Sequence, residues 1–330
     1  MQRSQTEPFM PTQSKWQSLP TEAINPVSLS VDKAAVADII DMVLNEDRKV
    51  VAAVQKEKER IAHGVEIITQ SLRKGGRVVF VGAATSGRLG VVEASEMPPT
   101  FGTSPSLVQA IMAGGQDAVF KAKEGVEDNY EEGARSIARL RMGKKDVVIG
   151  VSASGMTPFV RGALTRARKA GAKIIFVTCW PGSELQNFVD LQIAPGVGPE
   201  IIAGSTRLKA GTATKLVLNM LTTISMIKVG KTYGNLMVDV QTGSEKLKDR
   251  ARRILVLTTG IDYEAAGVLL KRAKWNVKAA IIMQRADLTL PQALRRLKKA
   301  HDSVREAIGE DADTRLRELL AASQQPARPA

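Results

Sequence analysis

Val81-Gly-Ala-Ala-Thr-Ser-Gly-Arg-Leu-Gly-Val-Val-Glu-Ala-Ser-Glu-Met-Pro-Pro-Thr100 decides how this chain is read. An apolar strand, Val78 to Val81, runs into a turn of small residues, and a helix follows at once. Glycines in such a turn let backbone amides come close to a ligand. The start of the helix presents unpaired N–H groups and the positive end of its dipole, so it suits an anion. Thr85 and Ser86 add hydroxyl donors, and two carboxylates, Glu93 and Glu96, follow within a few turns. One segment therefore offers an oxyanion site beside candidate acid and base groups, which points to chemistry on a phosphorylated small molecule. The turn is neither of the common nucleotide loops. It lacks a Gly-Lys-Ser/Thr ending, and it lacks three glycines at dinucleotide spacing.

A second unit repeats the design. Asp146-Val-Val-Ile-Gly-Val151 reads as a buried strand, and Ser152-Ala-Ser-Gly-Met-Thr-Pro158 follows it. Thr157 suits an N-cap and Pro158 the first helical position. Phe159 to Ala170 continues as a basic amphipathic helix, Gly171 stops it, and Lys173-Ile-Ile-Phe-Val-Thr178 starts another strand. A well-capped helix accounts for Thr157 but not for Ser152 and Ser154 as well. Three hydroxyls in six residues at a helix start form a phosphate cradle.

Working outward, strands are expected at Val78–Val81, Leu107–Met112, Val147–Val151, Ile174–Val177 and Leu191–Ala194. Helices separate most of them, which implies parallel pairing and an α/β sandwich with ligand loops at the carboxyl ends of the strands. Val31 to Leu72 reads as mostly helical, ended by Gly75-Gly76. Gly211 to Lys228 is an apolar helix too greasy for a free surface, so it belongs to the core or to a dimer interface. The 330 residues divide into a flexible N-terminal segment, 1–30, a phosphosugar-binding catalytic domain with its N-terminal helices, 31–245, and a small helical domain with a tail, 246–330. In the last of these Thr259-Gly260, Gly267 and Pro291 are the punctuation, and Pro326 to Ala330 is expected to fray.

Composition excludes several classes. No apolar run reaches membrane-span length, and Met1 to Pro20 has no signal-peptide core. The single cysteine, Cys179, rules out an intramolecular disulfide, and a cytoplasmic location fits best. At the end of an apolar strand, Cys179 reads as a small buried residue rather than a nucleophile. The net charge is +13, and Ser244 to Ala330 carries 18 Lys and Arg against 11 Asp and Glu. The basic pairs there recur on helical segments with interleaved leucines, the pattern of a solvated surface rather than a nucleic-acid site. The two histidines, His63 and His301, lie far apart, so neither a metal site nor a Ser-His-Asp triad is supported and no cofactor is expected. Acid–base work falls to carboxylates.

Ser-x-Ser-Gly-x-Thr after a strand resembles the phosphosugar loop of the sugar isomerase (SIS) domain family. Glu93-Ala-Ser-Glu-Met-Pro-Pro-Thr-Phe-Gly102, Glu124-Gly-Val-Glu-Asp128, residues 198–213 from Gly198-Pro-Glu to Gly-Thr-Ala213, and Gly234-Asn-Leu-Met-Val-Asp239 narrow the resemblance to the N-acetylmuramic acid 6-phosphate etherase family. Leu19-Pro-Thr-Glu-Ala-Ile-Asn-Pro26 and Asn45-Glu-Asp-Arg-Lys-Val50 are similar to that family's N-terminal segments. The resemblance runs from about Leu19 to Met283. It implies an SIS-type three-layer α/β fold, a homodimer with sites near the subunit interface, and a phosphorylated amino sugar as substrate.

The activity it implies is cleavage of the D-lactyl ether of N-acetylmuramic acid 6-phosphate. Opening the sugar ring exposes an aldehyde that acidifies the proton at carbon 2. A base takes that proton, lactate leaves carbon 3 with help from an acid, and water adds to the conjugated intermediate. By residue match Glu96 is the proton donor and Glu127 the second catalytic glutamate and base. Glu93 reads as a helix-face charge and Glu124 as a supporting group. Thr85, Ser86, Ser152, Ser154, Gly155 and Thr157 are matched to phosphate, and Glu200, Ser205, Thr206 and Arg207 to the same pocket. Arg207, Lys209 and Arg88 are the cations available for the phosphate or the lactyl carboxylate.

The chain departs from the family pattern at several points. Ala84 stands where a glycine is usual, Met97 replaces a cysteine, Met156 an arginine, Ser152 an alanine and Trp180 an asparagine. These touch substrate preference more than reaction type. Two rivals share the domain. A sugar-phosphate isomerase has no use for both glutamate motifs. A noncatalytic sensor similar to the glucokinase regulatory protein carries two tandem SIS domains, and this chain has room for one.

Overall fold

A computed structural model describes residues 19–240 and 243–309, together with Arg317. The expected fraying at Pro326 to Ala330 lies outside the described residues, as does the first part of the segment 1–30. Within residues 19–30 Leu19 is 2% exposed and Thr21, Asn25 and Ser28 are buried, while Ile24, Val27 and Leu29 are exposed.

Two long helices come first, α1 (Val36–Lys56) and α2 (Lys58–Arg73). The stretch read as mostly helical is two helices that meet at Glu57. This residue ends one helix, begins the next, and spends its buried carboxylate on the Ala194 amide at 3.0 Å. The repeating core follows as β1 (Val78–Gly82), α3 (Ala84–Phe101), β2 (Val108–Met112), the single turn α4 (Asp117–Phe120), α5 (Tyr130–Arg139), β3 (Val147–Val151), α6 (Pro158–Lys169), β4 (Lys173–Val177) and β5 (Leu191–Ile193). The next helix, α7 (Lys209–Lys228), precedes a short antiparallel hairpin of β6 (Thr232–Tyr233) and β7 (Leu236–Met237). Among the described residues five helices follow: α8 (Glu245–Thr259), α9 (Tyr263–Arg272), α10 (Val277–Ala286), α11 (Leu290–Lys299) and α12 (Val304–Ile308).

The five long strands form one parallel sheet in the order β2-β1-β3-β4-β5. β1 and β3 are buried along their whole length because both faces are covered. Alternate residues go to opposite layers. Phe80, Ile149 and Ile175 face the cluster built with α1, α2, α3 and α7, while Val79, Val148 and Phe176 face the one built with α5 and α6. This is the expected three-layer sandwich. The C-terminal helices share a further cluster centred on Leu255, Leu270 and Ile281. Gly260 caps α8 in the left-handed conformation and Pro291 lies in the first turn of α11, as read from sequence. Gly267 is no break; it lies inside α9, where a Cβ would come 3.2 Å from Arg252 Nε.

Strand order positions the site. From β1 the chain steps one way to β2, and from β3 it steps the other way through β4 to β5. The switch lies between β1 and β3, and such a crevice at the carboxyl ends of the strands is where open parallel sheets bind ligands. The two hydroxyl-rich loops are the ones that leave β1 and β3.

Candidate active site

The β1–α3 turn is tight for reasons its residues supply. A Cβ on Gly82 would lie 2.7 Å from the Gly87 nitrogen, and one on Gly87 would lie 2.9 Å from the Gly82 carbonyl oxygen. Ala84 holds φ at 46°, the left-handed region that favours glycine. The first helical bond of α3 runs from the Gly87 amide to the Ala83 carbonyl, so the amides of residues 84–86 have no partner within the helix. The hydroxyls of Thr85 and Ser86 are half-buried and make no hydrogen bond among the described residues.

The β3–α6 loop ties two of its hydroxyls together and leaves a third unpaired among the described residues. Ser152 is 3% exposed; its Oγ accepts the Gly155 amide at 3.2 Å and shares a 2.7 Å hydrogen bond with Thr157 Oγ1. Ser152, expected as a phosphate donor, therefore braces the loop. Thr157 is at the N-cap position of α6 without a side-chain capping bond, since its hydroxyl is turned to Ser152. The first-turn amides of α6 stay open. Gly155 needs to be glycine twice over: φ is 76°, and a Cβ would lie 2.9 Å from Ser183 Oγ. Ser154 is half-buried, with a hydroxyl unpaired among the described residues. The neighbouring β4 end is stitched to this loop by Cys179 N to Ala153 O at 3.0 Å and Ser183 Oγ to Gly155 O at 3.2 Å. Trp180 lies beside Gly182, where a Cβ would be 3.0 Å from its indole nitrogen.

The start of α7 closes the ring. Glu200 is 1% exposed and caps this helix, Oε2 accepting the Lys209 amide at 3.0 Å and Oε1 the Ala210 amide at 2.9 Å. Burial raises the Glu200 carboxyl above its ordinary value, against the pull of those two amides and of Lys209. Glu200 thus fixes the start of α7 rather than offering a free carboxylate. A Cβ on Gly211 would meet Thr206 O at 3.6 Å and Thr85 Cγ2 at 3.8 Å, so the α7 start lies against the β1–α3 turn. Ser205 and Thr206 are half-buried with unpaired hydroxyls, and Arg207 is exposed with no partner among the described residues. Cys179 donates to Ala210 O at 3.7 Å, and burial pushes its thiol up to about 12. No thiolate forms near neutral pH, as its sequence position suggested.

Two of the three candidate cations are committed elsewhere. Arg88 donates to the carbonyls of Val119 and Ala118 at 2.8 Å, satisfying the end of α4. Lys209 is 2% exposed and paired with Glu46. Arg207 is the one left for an anion. The carboxylates are also sorted. Glu93, read as a helix-face charge, is 4% exposed and bound by Thr222 Oγ1 at 2.7 Å and by Asn219. Burial raises its carboxyl, opposed by Thr222, Lys215 and Asn219 and reinforced by the Glu96 charge. It ties α3 to α7. Glu96 and Glu124 are exposed, and Glu127 is half-buried in the 3-10 turn Val126–Asp128. Glu96 lies ten residues along α3 from Ser86, about 15 Å by helical rise. The loops bring Thr85, Ser86, Ser154, Thr157 and Ser205–Arg207 to one end of the sheet, but they do not bring their own Glu96 to it.

Local spacing carried no sign of the Glu46–Lys209 pair, the Arg88 clamp or the Glu200 cap. Each joins residues through a fold that had to exist first. A cavity of about 750 Å³ lies elsewhere, between α1, α2 and α7. It is lined mostly by apolar residues, among them Val65, Leu216 and Ile224, with Lys58, Arg73 and Lys228 also in its wall.

Comparison with known proteins gives the family. Residues 60–168 match the glucokinase regulatory protein N-terminal SIS domain, and residues 126–224 match the SIS domain. An N-acetylmuramic acid 6-phosphate etherase of Salinibacter ruber is 48% identical over 92% of this chain and 99% of its own length. The chain belongs to the N-acetylmuramic acid 6-phosphate etherase family. Etherases of Rubrobacter xylanophilus and Trichormus variabilis are 46% and 47% identical over 88% and 87% of the chain, covering 96% and 94% of those proteins. Among solved structures, a phosphoheptose isomerase from Francisella tularensis aligns with a TM-score of 0.44 at 19% identity, covering 58% of this chain and all of that one. The etherase relatives span nearly the whole chain, whereas the glucokinase regulatory match stops at its N-terminal SIS domain. Neither the sensor nor the isomerase alternative is favoured.

Proposed function

We propose that this protein cleaves the D-lactyl ether of N-acetylmuramic acid 6-phosphate, giving N-acetylglucosamine 6-phosphate and D-lactate, as a carbon–oxygen lyase. The observation that carries the reading is the pair of helix starts, α3 and α6, with open amides and free hydroxyls at the topological switch of a chain built throughout like the etherases. The phosphate is held by the first-turn amides with Thr85, Ser86, Ser154 and Thr157, on a loop shaped by Ser152 and Gly155. Ser205, Thr206 and Arg207 cover the sugar and its lactyl carboxylate from the α7 side.

Chemistry falls to two glutamates. Glu127, half-buried beyond β2, takes the carbon 2 proton once the ring has opened. Glu96 protonates the departing lactyl oxygen, and water then adds to the unsaturated aldehyde at carbon 3. The bond lost is carbon 3 to the lactyl oxygen; the bond gained is carbon 3 to water oxygen. No redox change occurs and no cofactor takes part.

The distance between Ser86 and Glu96 supports a homodimer in which a second copy brings Glu96 to the cradle. An exposed apolar stripe on α1 (Val36 74%, Ile40 53%, Leu44 49%, Val51 64%) and the adjoining apolar groove against α7 suit that partner. We place the catalytic domain at 31–245, the helical domain at 246–330, and the enzyme in the cytoplasm. The mechanism is tested by running the reaction in deuterated, ¹⁸O-labelled water. Deuterium at carbon 2 and ¹⁸O at carbon 3 of the sugar product are expected. Label in lactate alone would mean displacement at the lactyl carbon and overturn it.

A further inference from the structure

The two N-terminal motifs that the proposed chemistry leaves unused, residues 19–26 and 45–50, meet at one place. Both touch the loop between Pro199 and Lys209. We propose that Glu46 is a positioning residue: together with the 19–26 segment it holds residues 199–209, and with them Ser205, Thr206 and Arg207, in ligand-binding shape. The inference rests on the reading of those three residues as substrate contacts.

Glu46 projects from α1 into the interior, where its side chain is 4% exposed. The Lys209 ammonium, 2% exposed, donates to its Oε2, and the more exposed Lys49 donates to Oε1. Burial works to raise the Glu46 carboxyl, but the hydrogen bonds from Lys209 and then Lys49 outweigh it and hold it at about 2. It stays charged throughout the working range. Lys209 is the first residue of α7, and its own amide is bound by Glu200. A buried ammonium at a helix N-terminus opposes the helix dipole and loses its hydration, so its place depends on the carboxylates that meet it. The 19–26 segment supplies two more anchors. Asn25 Nδ2 donates to Pro199 O at 3.0 Å, and the Gly204 amide donates to Thr21 O at 3.0 Å. The loop is therefore fixed at Pro199, Gly204 and Lys209, and the three ligand residues lie between the last two anchors.

A neutral Glu46 leaves Lys209 without its buried counter-charge. The ammonium is then drawn toward water, and the loop that precedes it loses its shape while the sheet and both helix starts remain. Binding suffers and chemistry does not.

Glu46→Gln, Lys209→Met, the double variant and Asn25→Ala decide the matter, each assayed well below its melting temperature. Trypsin cleavage after the exposed Arg207, followed by mass spectrometry, reports loop order without any substrate. Michaelis constants for N-acetylmuramic acid 6-phosphate report binding. Glu46→Gln is expected to be cut after Arg207 at least tenfold faster than wild type. Its KM should rise at least tenfold, with kcat within about twofold. The double variant, which buries no unpaired charge, should recover most of both losses, and Asn25→Ala should move both in the same direction by a smaller factor. Wild-type cleavage and KM in a folded Glu46→Gln or Asn25→Ala protein would overturn the proposal, and the Asn25 variant keeps the test alive if Glu46→Gln fails to fold. Should the wild-type enzyme release no lactate, the etherase reading fails, and the cleavage rates still decide this one.

Discussion

Ala84 holds a backbone conformation that costs an alanine about 1–2 kcal/mol, whereas glycine adopts it freely. Glycine loses more entropy on folding, so Ala84→Gly is expected to stabilise the protein by only about 0.5–1 kcal/mol in urea unfolding. A destabilised variant would show that the methyl packs usefully. The sequence flagged this position, because its family resemblance calls for glycine, but the left-handed φ had to be seen. The glutamates were partly legible. Spacing along α3 marked Glu93 and Glu96 as neighbours without revealing that one is buried against Thr222 and Asn219 and the other faces outward. Glu96→Ala and Glu127→Ala are each expected to cut lactate release by about 10²-fold or more while leaving the melting temperature within a few degrees. Near-normal turnover in either variant removes that residue from the mechanism. Ser152 and Ser154 differ by two positions and differ in what they do, one bonded within the loop and the other left with an unpaired hydroxyl among the described residues. Residue type alone could not separate them.

The parallel strands were legible at the level of elements because each is a short apolar run between turn residues, buried on both faces. The helix starts after β1 and β3 were equally plain. The exact junction of α1 and α2 at Glu57, within a stretch read only as mostly helical, and the start of α7 at Lys209, two residues before the apolar run suggested, were not. Both are set by carboxylates acting over distance: Glu57 on the Ala194 amide, and Glu200 on amides nine and ten residues downstream. Glu200→Ala removes both acceptors from buried amides. It is expected to cost about 2–4 kcal/mol in chemical denaturation, at the level of leaving two buried donors unsatisfied. A loss below about 1 kcal/mol would mean that water replaces the carboxylate and that the cap is not structural.

Acid sensitivity is a property of the whole molecule. Glu46 is held at about 2 against an ordinary value of 4.5. Its contribution is therefore complete above pH 4.5 and is lost as the pH falls toward 2, and the shift is worth about 3 kcal/mol. Asp146, paired with Arg77 at 2.8 Å, is also lowered and adds loss in the same direction. Thermal melts at pH 6 and pH 3 should show a larger drop for wild type than for Glu46→Gln. Equal drops would mean that the buried pair plays no part in acid unfolding. Across the molecule, the parallel pairing and the meeting of the two hydroxyl-rich loops at the carboxyl ends of the strands followed from pattern, while the strand order and the placement of Glu96 relative to those loops needed three dimensions. The central claim is tested most directly by incubating the purified protein with N-acetylmuramic acid 6-phosphate and assaying D-lactate. The account predicts stoichiometric D-lactate and N-acetylglucosamine 6-phosphate, with none from the unphosphorylated sugar. Binding of the phosphosugar without lactate would contradict it and leave a phosphosugar-binding protein of another kind.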